Sequence, residues 1–444
     1  MKPFLNEVNP NDLKSPIMEY EIFRKEKVDV FIENQRNRQL ISKVNQLFAD
    51  QEYSLVNDVL LVNLEIAASS NKLPDLTETR LYHLLMMVET QWNLNNFSIC
   101  LCWIEQAIHE IMISKNSDGE IAGPEDKMNL LKILECCIVM LDGDVSSLNQ
   151  RSRLSSNLLK FIVMQIDGNE ECGLGEKSVL PWIILYYLIK HDEKSMDEFE
   201  DNVPCSVNFL CSAHDYLGPM SLCTSENGKI LTLLVDGIVD TLFKGVTGKG
   251  TGDQLCRTMD QALFCLYAHP QKKSKNRHLI DHSISNIAFT WDRCLKPFLY
   301  LRPKKLPEYD DLKSASIISE TVLFFRRIIA LVPDRFRIKK REKMTKEYLN
   351  DPDMKKFPRF DKMAAKEDED EIMMVEAIEN NDPFPPTMID LFYLLADYYF
   401  KNSEFGQAVE FYCIDLTWRS NRIDSWVPLS LSLVQGMIQS IFLI

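Results

Sequence analysis

The stretch from Phe392 to Trp426, FYLLADYYFKNSEFGQAVEFYCIDLTWRSNRIDSW, limits the possible fold of this chain more than any other. Phe392, Leu395 and Tyr399 stand at i, i+3 and i+7, so a helix gathers them on one apolar stripe. Lys401-Asn402-Ser403 forms a short polar turn, and Ala408 and Tyr412, four residues apart, provide the facing stripe of a second helix. Ala396 and Ala408 are small, which lets the two helices approach closely. Trp426 falls 34 residues after Phe392, where a following copy would place its own opening aromatic. A hairpin of this kind buries its apolar face only against neighbours, so stacked helical hairpins are the expected architecture.

The order of aromatic, Leu, Ala and Tyr, followed by Ala-x₃-aromatic, resembles the tetratricopeptide (TPR) repeat. Ser420 stands where that repeat usually closes with Pro, and an ordinary helical hairpin is the alternative reading. An earlier segment, LLMMVETQWNLNNFSICLCWIEQAI, can be laid on the same pattern by matching Phe97 to Phe405. Leu84, Met87 and Val88 then take the first-helix core positions, Cys100 lies opposite Ala408, Ile104 opposite Tyr412, and Ala107 is another small residue. LFADQEYSLVNDVLL, Leu47 to Leu61, predicts a turn between two helices. Further helices are predicted at about 127–142, 153–167, 205–217, 227–244, 253–268, 276–300 and 312–331. SVLPWIILYYLI, Ser178 to Ile189, is too short to span a bilayer and carries Pro181, so it predicts a buried helix.

The resulting expectation is an all-α protein, an α-solenoid of TPR and degenerate TPR-like hairpins. Its predicted parts are a charged flexible leader (1–38), degenerate hairpins (39–115), a helical solenoid region (116–332), a charged and partly disordered linker (333–388), a TPR repeat (389–425) and a divergent apolar tail (426–444). In that tail Pro428 falls where the next first helix should form, and several Ser and Gln residues make it a poor membrane anchor. The net charge of −15 argues against nucleic-acid binding over the whole surface and is compatible with basic partners such as histones. The twelve cysteines follow no disulfide or zinc spacing and mostly sit in apolar runs, so reduced thiols in cytosol or nucleus are expected. No apolar signal-peptide core opens the chain.

Candidate chemistry is sparse. His278 and His282 share a helix face at i, i+4, but Asp281 stands where a zinc protease needs Glu and no third ligand is evident. GVTGKGTG, Gly245 to Gly252, lacks the Ser or Thr that follows Gly-Lys in a phosphate-binding loop, and it predicts a flexible linker. His214-Asp215 has no identifiable nucleophile. The expectation is a non-enzymatic chain without cofactor or metal. Two basic patches stand out, Lys272-Lys273-Ser-Lys275 and Arg335 to Lys343. Within the second, Arg337, Lys339, Lys340 and Arg341 suit a nuclear-import signal, with a charged helix end or linker as the alternative.

Several blocks in consistent order carry a further resemblance. They are SVLPWIIL (Ser178–Leu185), AHDYLG (Ala213–Gly218), FCLYAHPQKKSK (Phe264–Lys275), RPKKLPEYD (Arg302–Asp310), DLFYLLADYYFKNSEF (Asp390–Phe405) and NRIDSW (Asn421–Trp426). Through them the chain resembles the calcineurin-binding protein cabin family, the TPR subunit of the HIR (HIRA) histone chaperone complex, over roughly 178–426. Family members are longer, so a truncated chain is expected. The family's regions for calcineurin and for a MADS-box transcription factor lie towards its far C-terminus and are not carried over. The resemblance implies a nuclear scaffold in replication-independent nucleosome assembly, partnered by HIRA and ubinuclein homologues, by the anti-silencing type of histone chaperone, and indirectly by histones. It implies no small-molecule substrate, no membrane and no direct sequence-specific nucleic acid. Tyr399 and Asn402 are the candidate partner contacts on the C-terminal repeat. A cytosolic TPR adaptor or phosphatase regulator without a chromatin role is the alternative function.

Overall fold

A computed structural model describes residues 38–68, 77–114, 122–167, 174, 177–194, 203–245, 249–269, 289–311, 317–331 and 388–442. Among these residues the regular elements are all helical, and no helix is long and apolar enough to cross a membrane. The chain divides into two compact units, Met1–Asp197 and Glu198–Ile444.

The first unit contains α1 (38–49), α2 (Tyr53–Ala68), α3 (Glu78–Asn93), α4 (Phe97–Ile113), α5 (Pro124–Met140), α6 (Arg151–Ile166) and α7 (Leu180–Glu193). Local chemistry explains several starts. The Thr77 hydroxyl accepts the Arg80 N–H at 3.2 Å ahead of α3, and the Asp126 carboxylate accepts the Gly123 N–H at 3.0 Å ahead of α5. Pro181 lies in the first turn of α7, where its missing N–H removes no helical hydrogen bond. The main packings are α2 on α3, α3 on α4, α4 on α5 and α6, and α7 on α5 and α6. Buried charge stitches three of these helices together. Glu110 of α4 receives Arg80 of α3 through two bonds of 2.6 Å, and Glu105 receives Arg153 of α6 at 2.7 and 2.5 Å. Gln106 joins the two pairs, donating to Glu110 and accepting from Arg153. Forked Arg–carboxylate bonds of this kind fix orientation as well as contact.

The second unit contains α8 (Cys205–Leu217), two 3₁₀ turns (Gly218–Met220 and Leu222–Thr224), α9 (Ser225–Phe243), α10 (Lys249–Tyr267), α11 (Trp291–Leu301), α12 (Ser319–Ala330), α13 (Asp390–Lys401), α14 (Phe405–Trp418) and α15 (Ile423–Phe442). Here too the main packings join described α-helices one or two places apart in the numbering. They are α8–α9, α9–α10, α9–α11, α11–α12, α12–α13, α13–α14, α14–α15 and α13–α15.

One hairpin design occurs three times. α1–α2, α3–α4 and α13–α14 are each joined by a turn with one left-handed residue: Gln51 (φ 60°), Asn95 (φ 56°) and Ser403 (φ 62°). In each, the N–H of that residue bonds back to the third-preceding carbonyl and the next N–H to the fifth-preceding one, the paired bonds of a Schellman turn. An aromatic ring on either side closes the turn: Phe48 on Tyr53, Trp92 on Phe97 and Phe400 on Phe405, with centroids 5.1, 5.3 and 6.3 Å apart and edge-to-face geometry. Counting from the second aromatic, the position three residues on is Val56, Cys100 or Ala408, and the position seven on is Leu60, Ile104 or Tyr412; all six are fully buried. The register that matched Phe97 to Phe405 in the sequence is therefore met by turn, ring contact and core. The α1–α2 copy spans the turn between two helices predicted at Leu47 to Leu61, within the stretch 39–115.

Of the helix expected over 276–300, Trp291–Leu301 is described and 276–288 lie outside the described residues. Two expectations are corrected. Lys249 to Gly252 form the first turn of α10 rather than a linker. Pro428 does not interrupt α15, which runs through it at the cost of the bond its N–H would have made to Asp424. α15 packs on both α13 and α14, and this tertiary contact outweighs one lost bond.

Candidate functional site

α13 is buried almost all the way round, and every residue from Leu391 to Asp397 is in the core. Its partner α14 lies antiparallel, since the early Tyr393 meets the late Tyr412 while Phe400 meets Phe405. A non-helical segment following α11 covers a further side of α13. The Tyr393 hydroxyl donates to the Pro307 carbonyl at 2.5 Å, and Lys401 Nζ donates to the Glu308 carbonyl at 2.9 Å. The RPKKLPEYD block thus lies on the DLFYLLADYYF block.

Charge locks the hairpin. Asp415 of α14, with no exposed surface, accepts Ser425 Oγ at 2.6 Å and an Arg422 guanidinium nitrogen at 3.1 Å. The other end of the Arg422 fork reaches Asp390, the first residue of α13, at 2.7 Å, and its plane covers the Tyr393 ring at 4.7 Å. Arg419 and Arg302 also face Asp390, at 3.3 and 3.9 Å. Asp397 pairs with Lys401 at 2.8 Å. Burial raises both buried aspartates to about 6, overcoming the lowering by Lys401 for Asp397 and by Arg422 and Ser425 for Asp415. The cluster joins the segment after α11, both helices of the hairpin and the start of α15.

The TPR-pattern residues Phe392, Leu395, Ala396, Ala408 and Tyr412 are all buried in this hairpin. Trp426 is half-buried in α15, its indole N–H donating to the Ser420 carbonyl at 2.6 Å. The two candidate partner contacts separate. Tyr399 is 4 % exposed and stacks on Phe411 at 5.7 Å with planes 8° apart, so its ring is a core element and not a partner contact. Asn402 is exposed at the hairpin turn, its amide donating to the Tyr398 carbonyl at 2.8 Å. The accessible edge of the hairpin is formed by Asn402, Ser403, Glu404, Gly406 and Glu410. On α15 the polar Ser425 and Ser432 turn inward, while Leu431, Leu433 and Val434 are about half exposed.

A second grouping escaped the sequence reading. His214 of α8, Cys223 of the second 3₁₀ turn and Cys265 of α10 are buried together, with one imidazole nitrogen and both sulfurs within 4.8 Å of one another. Cys265 Sγ lies 3.5 Å from His214 Nε2, and the Gln261 amide lies 3.8 Å from that sulfur. The Cys265 thiol, and then burial, push the Cys223 thiol up, so without a cation it stays protonated. Spacings of nine and forty-two residues match no metal motif. The available signal was that His214 and Cys265 each fall within a block already singled out.

Arg337, Lys339, Lys340 and Arg341, the Lys272–Lys275 patch and the His278/His282 pair lie outside the described residues. No protein-family model matches the chain, and no solved structure matches it.

Proposed function

We propose that this chain is a non-enzymatic scaffold of TPR type in a HIR/HIRA-type histone chaperone complex, acting in the nucleus in replication-independent nucleosome assembly. The observation that carries the reading is the hairpin repeated at Tyr53, Phe97 and Phe405 with the same left-handed turn, ring contact and buried positions. Helices that pack on neighbours one or two places along the chain are what a stack of such hairpins requires. The blocks Arg302–Asp310 and Asp390–Phe405, which carry the family resemblance, meet through Tyr393 and Lys401, so the resemblance covers a joined piece of structure.

A scaffold works by presenting a fixed surface. Internal charge pairs such as Arg422 with Asp390 and Asp415 hold one helix relative to the next, so a partner binds without first having to order its site. The edge at Asn402, Glu404 and Glu410 is polar and acidic, which suits a basic segment of HIRA, ubinuclein or the anti-silencing chaperone, with histones held indirectly. The experiment is co-elution of the purified chain with each purified homologue by size exclusion. A complex with HIRA or ubinuclein, weakened when Glu404 and Glu410 become Lys, supports the reading. Separate elution from every one of them at micromolar concentration contradicts it.

A further inference from the structure

We propose that His214, Cys223 and Cys265 form a structural binding site for a single zinc ion, ligated by the imidazole Nε2 and two thiolates. The three side chains come from three separate elements and meet without any exposed surface of consequence, all being within the core. Zinc bound to sulfur at about 2.3 Å and to imidazole nitrogen at about 2.0 Å in tetrahedral geometry holds those atoms about 3.5 Å apart. Cys265 Sγ and His214 Nε2 stand at 3.5 Å, and Cys223 Sγ falls within the same small space. Gln261 of α10 donates its side-chain amide to Cys265 Sγ at 3.8 Å, a hydrogen bond from outside the ligand set that would steady the thiolate.

Charge supports the assignment. A divalent cation, two thiolates and a neutral imidazole sum to zero, so the loaded site buries no net charge and avoids the penalty of an isolated buried ion. Binding displaces one proton from each thiol into solvent. Cys223 also lies in a stretch of strained backbone. Ser221, Glu226, Asn227 and Gly228, on either side of Cys223, all adopt left-handed conformations, with φ of 60°, 50°, 54° and 67°. Such a run persists only where its surroundings over-determine it. Arg293 of α11 holds one end by donating to the Asn227 carbonyl at 2.5 Å, and a metal bond to Cys223 would hold the middle. The zinc would thereby tie α8 and α10 to this turn. Cys100 and Cys137, another close pair of buried thiols, have no such histidine among the described residues.

The test uses the full chain, purified under reductant and loaded with Zn²⁺ or with Co²⁺ as a spectroscopic stand-in. Elemental analysis should find one zinc per chain. The cobalt form should show thiolate-to-metal charge transfer and intense tetrahedral ligand-field bands. Both signals should be lost in Cys223→Ser and Cys265→Ser and kept in Cys100→Ser. X-ray absorption on the unaltered zinc-loaded chain decides the matter even where a variant does not fold. Two sulfurs in a shell at about 2.3 Å are expected. A shell of nitrogen and oxygen alone, no bound metal after loading, or full cobalt bands in the two cysteine variants would overturn the assignment.

Discussion

Replacing Arg422 by alanine tests the charge lock of the C-terminal hairpin. The guanidinium is largely buried and bridges Asp415, which has no exposed surface, to Asp390 at the start of α13. Removing one member of a buried pair leaves the other charge stranded, a loss of about 3–5 kcal/mol, and the cation over Tyr393 adds about 1 kcal/mol. Amide exchange in Phe405–Trp418 should therefore accelerate by roughly three to four powers of ten. The effect should depend on pH. Asp415 titrates at about 6 with Arg422 present, and removing a cation that lowers it raises it further. A protonated Asp415 needs no cation, so the variant should lose more relative to the native chain at pH ~8 than at pH ~6. Arg419→Ala is the control, since its pair with Asp390 is partly exposed and worth about 1 kcal/mol or less. Exchange in α14 that changes less than about threefold in Arg422→Ala would refute the reasoning.

Other outcomes follow from single positions. A Cβ on Gly237 would meet Val207 Cγ2 at 2.9 Å, whereas one on Gly406 would meet nothing within 4 Å; by thermal melting Gly237→Ala should destabilise by about 1–3 kcal/mol and Gly406→Ala should stabilise by up to about 1 kcal/mol. Ser403 occupies a left-handed conformation, so Ser403→Gly should raise the melting temperature by the relief of about 1 kcal/mol. Asp397, raised by burial to about 6, binds its proton more tightly folded than unfolded, so its contribution is lost as pH rises from about 4 through 6. The melting temperature of Asp397→Asn relative to the native chain should therefore climb over that interval, and a flat or falling difference would contradict the shift. Neutralising Lys339, Lys340 and Arg341 should abolish nuclear accumulation of a tagged chain. Unchanged distribution would remove the import signal, and a native chain that stays cytosolic would favour the adaptor reading.

What the sequence made legible is what is local. Phe392, Leu395, Ala408 and Tyr412 declare their faces by helical spacing, and Phe97 could be matched to Phe405 because turn and core lie within twenty residues of each other. The α1–α2 copy was harder to see because Val56 and Leu60 are ordinary core residues that carry no small-residue or aromatic signal. Contacts between distant segments left no pattern. The Tyr393 bond to Pro307 spans 86 residues, and this packing leaves little of α13 open to a partner. Of the two readings the sequence allows for Tyr399, the i+7 spacing that marks a core face prevails over partner contact, since Phe411 claims its ring. His214, Cys223 and Cys265 converge only because α8, a 3₁₀ turn and α10 meet, and each alone reads as a small or aromatic filler of an apolar run. Pro428 looked like a helix stop because propensity counts the missing N–H and not the two helices on which α15 rests.

The most direct measurement for the scaffold reading is affinity purification of the tagged 444-residue chain from nuclear extract, with mass spectrometry of what accompanies it. The account predicts recovery of HIRA and ubinuclein homologues, reduced when Glu404 and Glu410 are reversed in charge. Recovery of general folding chaperones alone, from a chain that retains its helical content and cooperative melting, would contradict it.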